Sequence, residues 1–100
     1  MVKSQTMKLV SVTYQTDDIG NQIPKELLRE VFCNVKSTSQ SEFFKAGEAG
    51  LKPTYKFTMF RYDYSGEKEV EYLNERYSVY RTYAGDSDDI ELYVTEKVGV

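Results

Sequence analysis

From residue 55 to residue 96 the chain consists of short segments in which apolar and polar residues alternate, with Gly, Asn, Asp or Ser between one segment and the next. A period of two places successive side chains on opposite faces, so each segment is predicted to be a β-strand with one buried face. Short strands joined by turn residues at close spacing are typical of consecutive antiparallel strands. The fold is therefore predicted to be mainly β, a small antiparallel barrel or sandwich.

About six strands are predicted, and they cover residues 8–15, 30–36, 55–64, 67–73, 76–83 and 90–96. Their predicted inward sets, in chain order, are Val10, Val12 and Tyr14; Val31, Cys33 and Val35; Tyr55, Phe57 and Met59; Val70 and Tyr72; Tyr77, Val79 and Tyr83; and Ile90, Leu92 and Val94. The third strand changes parity between Met59 and Phe60, which predicts a β-bulge or burial on both faces.

Turns are predicted at residues 17–21, at Ser65-Gly66, at Asn74-Glu75 and at residues 85–89. Gly and Asn tolerate a positive φ, and Asp often begins a turn, which is the reason for these assignments. Residues 22–29 contain Pro24 and a Leu-Leu pair and show no clear alternation. They are predicted to be a connection or a short edge segment.

The segment from residue 37 to residue 53 follows the second strand and breaks the strand pattern. Ser39 is a good N-cap, and Glu42 three residues later completes the sequence of a capping box, so a short helix is predicted. Gly47 and Gly50 limit this helix to about two turns, and Pro53 lets the chain enter the next strand. Phe43 and Phe44 are adjacent and cannot both face the subunit's own core from one short helix.

The composition describes a single domain of 100 residues, with 40% hydrophobic and 29% charged residues, which is typical of a soluble globular chain. No apolar run is long enough to cross a membrane, and Met1 to Leu9 lacks the apolar core of a secretory signal. With Cys33 as the only cysteine, no internal disulfide can form, which favours a reducing compartment. The net charge of -3 argues against non-specific binding to the phosphate backbone of nucleic acids.

No set of residues in the sequence has the types that common catalytic or metal sites need. The chain has no histidine and one cysteine, so a Ser-His-Asp or Cys-His site and a typical zinc site are excluded. An acidic cluster lies at Asp86, Asp88, Asp89 and Glu91, but its spacing is not that of a calcium loop, and a solvated hairpin turn is favoured. Glu67, Glu69 and Glu71 alternate along a strand and are predicted to form its solvent face. Neither an enzyme activity nor a cofactor is expected.

Two features are compatible with nucleic-acid binding. Residues 47–50 match a bare G-x-x-G, but the loop contains Glu48 and lies among predicted strands, whereas the RNA-binding module that uses this motif needs a helix on each side. A small barrel can also bind single strands through aromatic rings and a basic groove. The candidate basic residues, Lys45, Lys52, Lys56 and Arg61, are interleaved with acids. Arg76 and Arg81 have two interpretations. They either make cation–π or hydrogen-bonded contacts with nearby tyrosines or lie on the outer face of a hairpin without such contacts, and the second is favoured.

The order of the segments resembles the head–tail joining family of tailed bacteriophages, also called head-closure, stopper or head–tail adaptor proteins. The matching pieces are, in order, "REVFCNVKS", "SQSEFFKAGEAGLKP", "YKFTMFRYDYSGE", "VEYLNERYSVYRTYA" and "DIELYVTEKVG". The N-terminal "MKLVSVTYQTDDIGNQIPKE" matches more loosely. The chain departs from the family at Phe32, where relatives often carry a tryptophan.

The resemblance implies a structural virion protein of the phage neck, from a lytic phage or a prophage, that stays in the bacterial host cytoplasm before assembly. Its copies would form a ring, which in this family is commonly a dodecamer. The ring would close the DNA-filled head below the portal or adaptor after DNA packaging and would give tail proteins, including the tail terminator, a docking surface. Double-stranded DNA would pass through without sequence-specific binding, and no membrane would be involved.

The same resemblance makes residues 37–53 a long mobile loop at the channel and at the subunit interface. Its candidate contact residues are Ser41, Glu42, Phe43, Phe44, Lys45, Gly47, Gly50, Leu51 and Lys52. Two alternatives stay open: the segment simply caps an open barrel end, or the protein is a small nucleic-acid-binding barrel.

Overall fold

A computed structural model describes residues 4–96, and in it six antiparallel strands form a closed barrel. The elements are β1 (Gln5–Thr16), β2 (Gln22–Ser37), α1 (Gln40–Gly47), β3 (Pro53–Phe60), a 3₁₀ turn (Arg61–Asp63), β4 (Glu69–Tyr72), β5 (Glu75–Tyr83) and β6 (Asp89–Glu96). The strand order around the barrel is β1-β2-β3-β6-β5-β4, and β4 pairs with β1 to close it. The prediction of a small antiparallel barrel or sandwich of about six strands, with a short helix after the second strand, is confirmed, and the barrel is the alternative that is found.

The interior of the barrel is filled by side chains from all six strands. Eleven buried residues form one cluster: Met7, Leu9, Val31, Cys33, Phe57, Met59, Val70, Tyr77, Ile90, Leu92 and Val94. Tyr55 and Tyr72 pack against this cluster, and their rings lie edge-on to each other with centroids 5.5 Å apart. Burial raises the pKa of the Cys33 thiol to about 11, so this cysteine is an inert core residue. The predicted inward sets of β2, β3, β4 and β6 are confirmed.

The first hairpin is the main departure from the prediction, because residues 22–29 belong to a long strand. β1 pairs with β2 over twelve residues, from Gln5↔Cys33 to Thr16↔Gln22. β1 reaches β4 only at residues 8–10, and β2 reaches β3 only at residues 34–37. Residues 11–28 therefore form a two-stranded ribbon, called the arm below, and the longest dimension of the protein is 50 Å against 31 and 25 Å for the others.

Several local predictions were wrong by one residue or one face. Met7 and Leu9 belong to the core cluster, which the prediction for β1 missed. Of the predicted inward set, Val10 is buried, whereas Val12 and Tyr14 are 47% and 64% exposed on the arm. β3 ends at Phe60 and a 3₁₀ turn follows, so the parity change there is a strand end rather than a bulge.

The true irregularities lie elsewhere in the sheet. The register between β5 and β6 shifts between Val79 and Arg81, which turns Tyr83 away from the core face. The β4–β5 turn is formed by Leu73 and Asn74, both with positive φ, one residue earlier than predicted. The predicted turns at residues 17–21 and at Ser65-Gly66 lie between strands, and so does the turn predicted at residues 85–89 except for Asp89, which begins β6.

Candidate protein-interaction site

Helix α1 is built by local signals at both of its ends. The Ser39 hydroxyl accepts a hydrogen bond from the backbone N–H of Glu42 at 3.3 Å, as an N-cap does. After the helix, Gly50 has a φ of +80°, its N–H donates to the carbonyl of Gly47, and the N–H of Leu51 donates to the carbonyl of Ala46. These two bonds form a Schellman motif, in which a left-handed glycine satisfies the last carbonyls. The predicted helix and its glycine stop are confirmed.

The Glu42 carboxylate does not complete the predicted capping box but binds the barrel. Tyr80 donates its hydroxyl to one carboxylate oxygen at 2.7 Å, and the Arg81 guanidinium donates to the other. Arg81 also lies over the ring of Tyr93, 3.9 Å from its centroid. The favoured outer-face interpretation of Arg81 is therefore incomplete, because its side chain clamps the helix to β5.

The electrostatics of this contact follow from its partial burial. Burial alone would raise the pKa of Glu42, but the hydrogen bonds from Tyr80 and Arg81 outweigh it and hold that pKa below its usual value. Burial and the hydrogen bond to Glu42 raise the pKa of Tyr80, so the phenol stays a donor. Glu42 is thus an anion at neutral pH, and it fastens α1 to the barrel.

The helix covers the barrel with small residues and shows its large ones to solvent. Ala46 is buried, and with Leu51 it lines an open cleft of about 280 Å³ between the helix and the Tyr80–Arg81 segment. Phe43 is 46% exposed and Phe44 is 64% exposed, and their rings meet edge to face with centroids 6.2 Å apart. The expectation that at least one phenylalanine is available to a neighbour agrees with this geometry, since neither is buried.

The other predicted contact residues lie on the same short stretch. Ser41, Lys45, Gly47, Gly50 and Lys52 are all exposed, and Leu51 is half-buried. Lys52 accepts a hydrogen bond at its carbonyl from the Thr95 hydroxyl, which fixes the entry into β3. The mobility predicted for residues 37–53 stays a prediction.

The arm is a second exposed apolar surface, which sequence reasoning missed. Cross-strand pairing places Val12, Tyr14 and Leu28 on one face and Ile23 and Leu27 on the other, and each is 45–64% exposed. At the tip, Ile19 is 81% exposed. The Leu27-Leu28 pair was a usable sequence signal, because adjacent apolar residues on a strand place apolar side chains on both of its faces.

Ion pairs fasten the base of the arm to the barrel. Arg76 binds both carboxylate oxygens of Glu26 at 3.0 and 3.1 Å and also contacts Glu69 and Glu71. Arg29 donates to Glu67 at 2.7 Å. Glu67 precedes β4 and its side chain is only 8% exposed, so its predicted place on a solvent face was wrong.

The basic residues and the G-x-x-G that suggested nucleic-acid binding have structural roles within the subunit. Lys56 pairs with Glu91 at 3.2 Å, and Arg61 donates to the carbonyls of Gly85 and Ser87. The G-x-x-G at residues 47–50 ends α1 and leads into β3 rather than into a second helix. In residues 4–96 no group of three or more Asp, Glu, Cys or His side chains is placed to hold a metal ion.

Among residues 4–96, no helix is both long enough and apolar enough to cross a membrane. Neither models of known protein families nor curated proteins give a match to this chain.

Proposed function

We propose that the protein is a structural subunit of the neck of a tailed bacteriophage. In this proposal a ring of copies closes the DNA-filled head below the portal or adaptor and provides the docking surface for the tail. The segment order from "REVFCNVKS" to "DIELYVTEKVG", and its similarity to the head–tail joining family, supports the assignment to the neck. The work would be done by surfaces rather than by catalysis.

The observation that carries the proposal is the exposed phenylalanine pair on a fastened helix. Phe43 and Phe44 lie on α1, after β2, where the resemblance places the contact loop. Exposed aromatic rings side by side contribute little to the stability of a lone subunit, but they are typical of the centre of a protein interface. The Glu42 contact with Tyr80 and Arg81 keeps the helix, and hence the pair, in a defined position. Preorganisation of this kind lowers the entropic cost of binding.

The test is deletion of the gene from the phage or prophage that carries it, followed by electron microscopy of the particles. We expect heads that were packaged but lose their DNA, together with separate tails, and we expect a copy of the gene in trans to restore infectious particles. A normal titre after clean deletion would refute the proposal. A salt-dependent affinity for DNA near micromolar in the purified protein would instead favour a nucleic-acid-binding barrel.

A further inference from the structure

The arm has the properties of a binding element rather than of a loop. Residues 11–28 pair only with each other, so the ribbon has no sheet neighbour and no core of its own. Isolated two-stranded ribbons are at best marginally stable in water. This ribbon nevertheless exposes six large apolar side chains, namely Val12, Tyr14, Ile19, Ile23, Leu27 and Leu28. They lie on both faces and at the tip of one ribbon of 18 residues, a higher density than the scattered apolar residues of an ordinary surface.

Ion pairs hold the base of the arm against the barrel, and hydrogen bonds within the turn give the tip a defined local shape. The bidentate Arg76–Glu26 pair and the Arg29–Glu67 pair hold the base. At the tip, the Asp17 carboxylate accepts hydrogen bonds from the N–H groups of Ile19, at 3.0 Å, and Asn21, at 2.7 Å. A fixed apolar projection pays little ordering entropy when it binds a partner.

The surface around the phenylalanine pair complements the arm tip in charge. Ile19 lies beside Asp17 and Asp18, whereas Phe44 is followed by Lys45, and Lys52 lies at the end of the same connection, with the exposed Glu48 between the two lysines. The β1 side of the arm, residues 11–16, carries no charge at all. Lys45 or Lys52 can therefore pair with the exposed carboxylate of Asp18 at the tip, whereas two arm tips would bring like charges together.

One molecule cannot bring these two surfaces together by itself. The arm precedes the barrel portion of β2, and α1 follows the end of that strand. A strand of 16 residues spans roughly 50 Å at about 3.3 Å per residue, which separates the arm tip from the helix. Any contact between the two surfaces therefore has to join two molecules, each using a different patch. Such a contact is heterologous and can close into a ring.

We infer that the arm of one copy packs against helix α1 of the next copy, with Ile19 near the Phe43–Phe44 pair and Asp18 near Lys45. This inference deepens the proposed ring, since it names the two patches that would join neighbouring subunits. The partner is a second copy of this chain, and the contact is apolar at its centre with acid–base pairs at its rim.

The test is site-specific cross-linking of the purified protein at high concentration. A variant with Ile19→Cys and a variant with Phe44→Cys are mixed and treated with a short bifunctional thiol reagent, which does not reach the fully buried Cys33. The control replaces Ile19→Cys by Tyr62→Cys, since Tyr62 is 80% exposed and thus equally accessible. We expect about tenfold more mixed dimer with Ile19→Cys than with the control, the excess expected for a contact of about 1.4 kcal/mol.

A charge exchange tests the proposed register. Asp18→Lys should weaken self-association about two- to fivefold, the size of a surface ion-pair effect, and Lys45→Glu in the partner should restore it. Equal cross-linking in the Ile19→Cys and Tyr62→Cys mixtures overturns the inference, and so does self-association that Asp18→Lys leaves unchanged.

The outcome is separable from that of the neck proposal. If gene deletion blocks head closure but no Ile19–Phe44 cross-link forms, the ring stands and the arm binds another neck protein. If the cross-link forms but deletion leaves the phage normal, the head-to-tail contact stands and the neck assignment fails.

Discussion

Replacement of Glu42 should release helix α1 while the barrel stays folded. In Glu42→Ala, Tyr80 and Arg81 lose the carboxylate that ties the helix to β5, and the packing of Ala46 and Leu51 is all that remains of the docking contacts described above. The barrel core contains no residue of the helix, so its strands do not depend on the docked state. The expected result is a local opening of residues 40–47 and not global unfolding.

The size of the effect follows from the exposure of the partners. Hydrogen bonds to a buried charge contribute roughly 1.5–3 kcal/mol, whereas exposed ion pairs contribute about 0.2–1 kcal/mol. The Glu42 side chain is 12% exposed, but Arg81 is 44% exposed and can be rehydrated. We therefore expect a loss of about 1–2 kcal/mol in docking free energy, or roughly a 5–30-fold larger opening equilibrium.

Amide hydrogen exchange measures this opening directly. In Glu42→Ala the amides of residues 43–47 should exchange roughly 5–30-fold faster than in the parent, while the amides of β3 and β6 stay strongly protected. Glu48→Ala is the matched control, because Glu48 is an exposed glutamate of the same segment. Equal exchange rates in the two variants would refute the reasoning and would mean that apolar packing alone holds the helix.

Acidification should have the same effect on the parent protein. Because the pKa of Glu42 is lowered in the folded state, its contribution is complete above the ordinary glutamate pKa of 4.5. The contribution is lost as the pH falls through the lowered value. Exchange of the helical amides, corrected for its intrinsic pH dependence, should thus rise on acidification in the parent and stay flat in Glu42→Ala.

Three further tests use single substitutions in the helix, at its end and in the β4–β5 turn. Gly47→Ala should stabilise the protein by about 0.5–1 kcal/mol, since a Cβ there meets nothing within 4 Å, whereas Gly50→Ala should destabilise it by about 1 kcal/mol because the φ of Gly50 is +80°. Urea unfolding measures both free energies, and equal effects would contradict the Schellman assignment. Leu73→Asn should raise the melting temperature by several degrees, because Leu73 is 74% exposed at a φ of +52° that asparagine tolerates better; a lower melting temperature would show that Leu73 packs against the barrel. Phe43→Ser and Phe44→Ser should each leave melting nearly unchanged while at least one blocks head closure in a complementation assay; large losses of melting temperature in both would show that the pair is core.

The barrel could be predicted from the sequence because each of its strands has one buried and one solvated face. Because of that contrast, apolar and polar residues alternate in β2, β3, β4 and β6, and the buried residues Val31, Phe57, Val70 and Leu92 all lie at apolar positions of this alternation. The helix was predictable for a similar reason. Its N-cap at Ser39 and its stop at Gly50 are local signals that lie within a few residues of the structure they determine.

The arm could not be predicted in the same way, because solvent contacts both of its faces. Residues 22–28 carry apolar side chains on either side of the ribbon, so no alternation distinguishes an inner face from an outer one. Pro24 argued further against a strand, yet the β2 edge of the arm is unpaired and tolerates a missing N–H donor. The role of Glu42 was missed because its partners lie 38 and 39 residues away, and only the closed barrel brings them together.

Closure of the barrel explains why the candidate binding surfaces lie on projections. Within the barrel itself every strand has a neighbour on both sides, and the interior is filled by side chains such as Phe57 and Leu92. Recognition by this fold therefore depends on elements added to the barrel. The arm and α1 are two such elements, they flank the same strand β2, and both present apolar residues in positions fixed by ion pairs. A subunit with one apolar projection at each end of one strand is suited to the head-to-tail contact proposed above, in which each copy would offer one patch to the copy before it and the other patch to the copy after it.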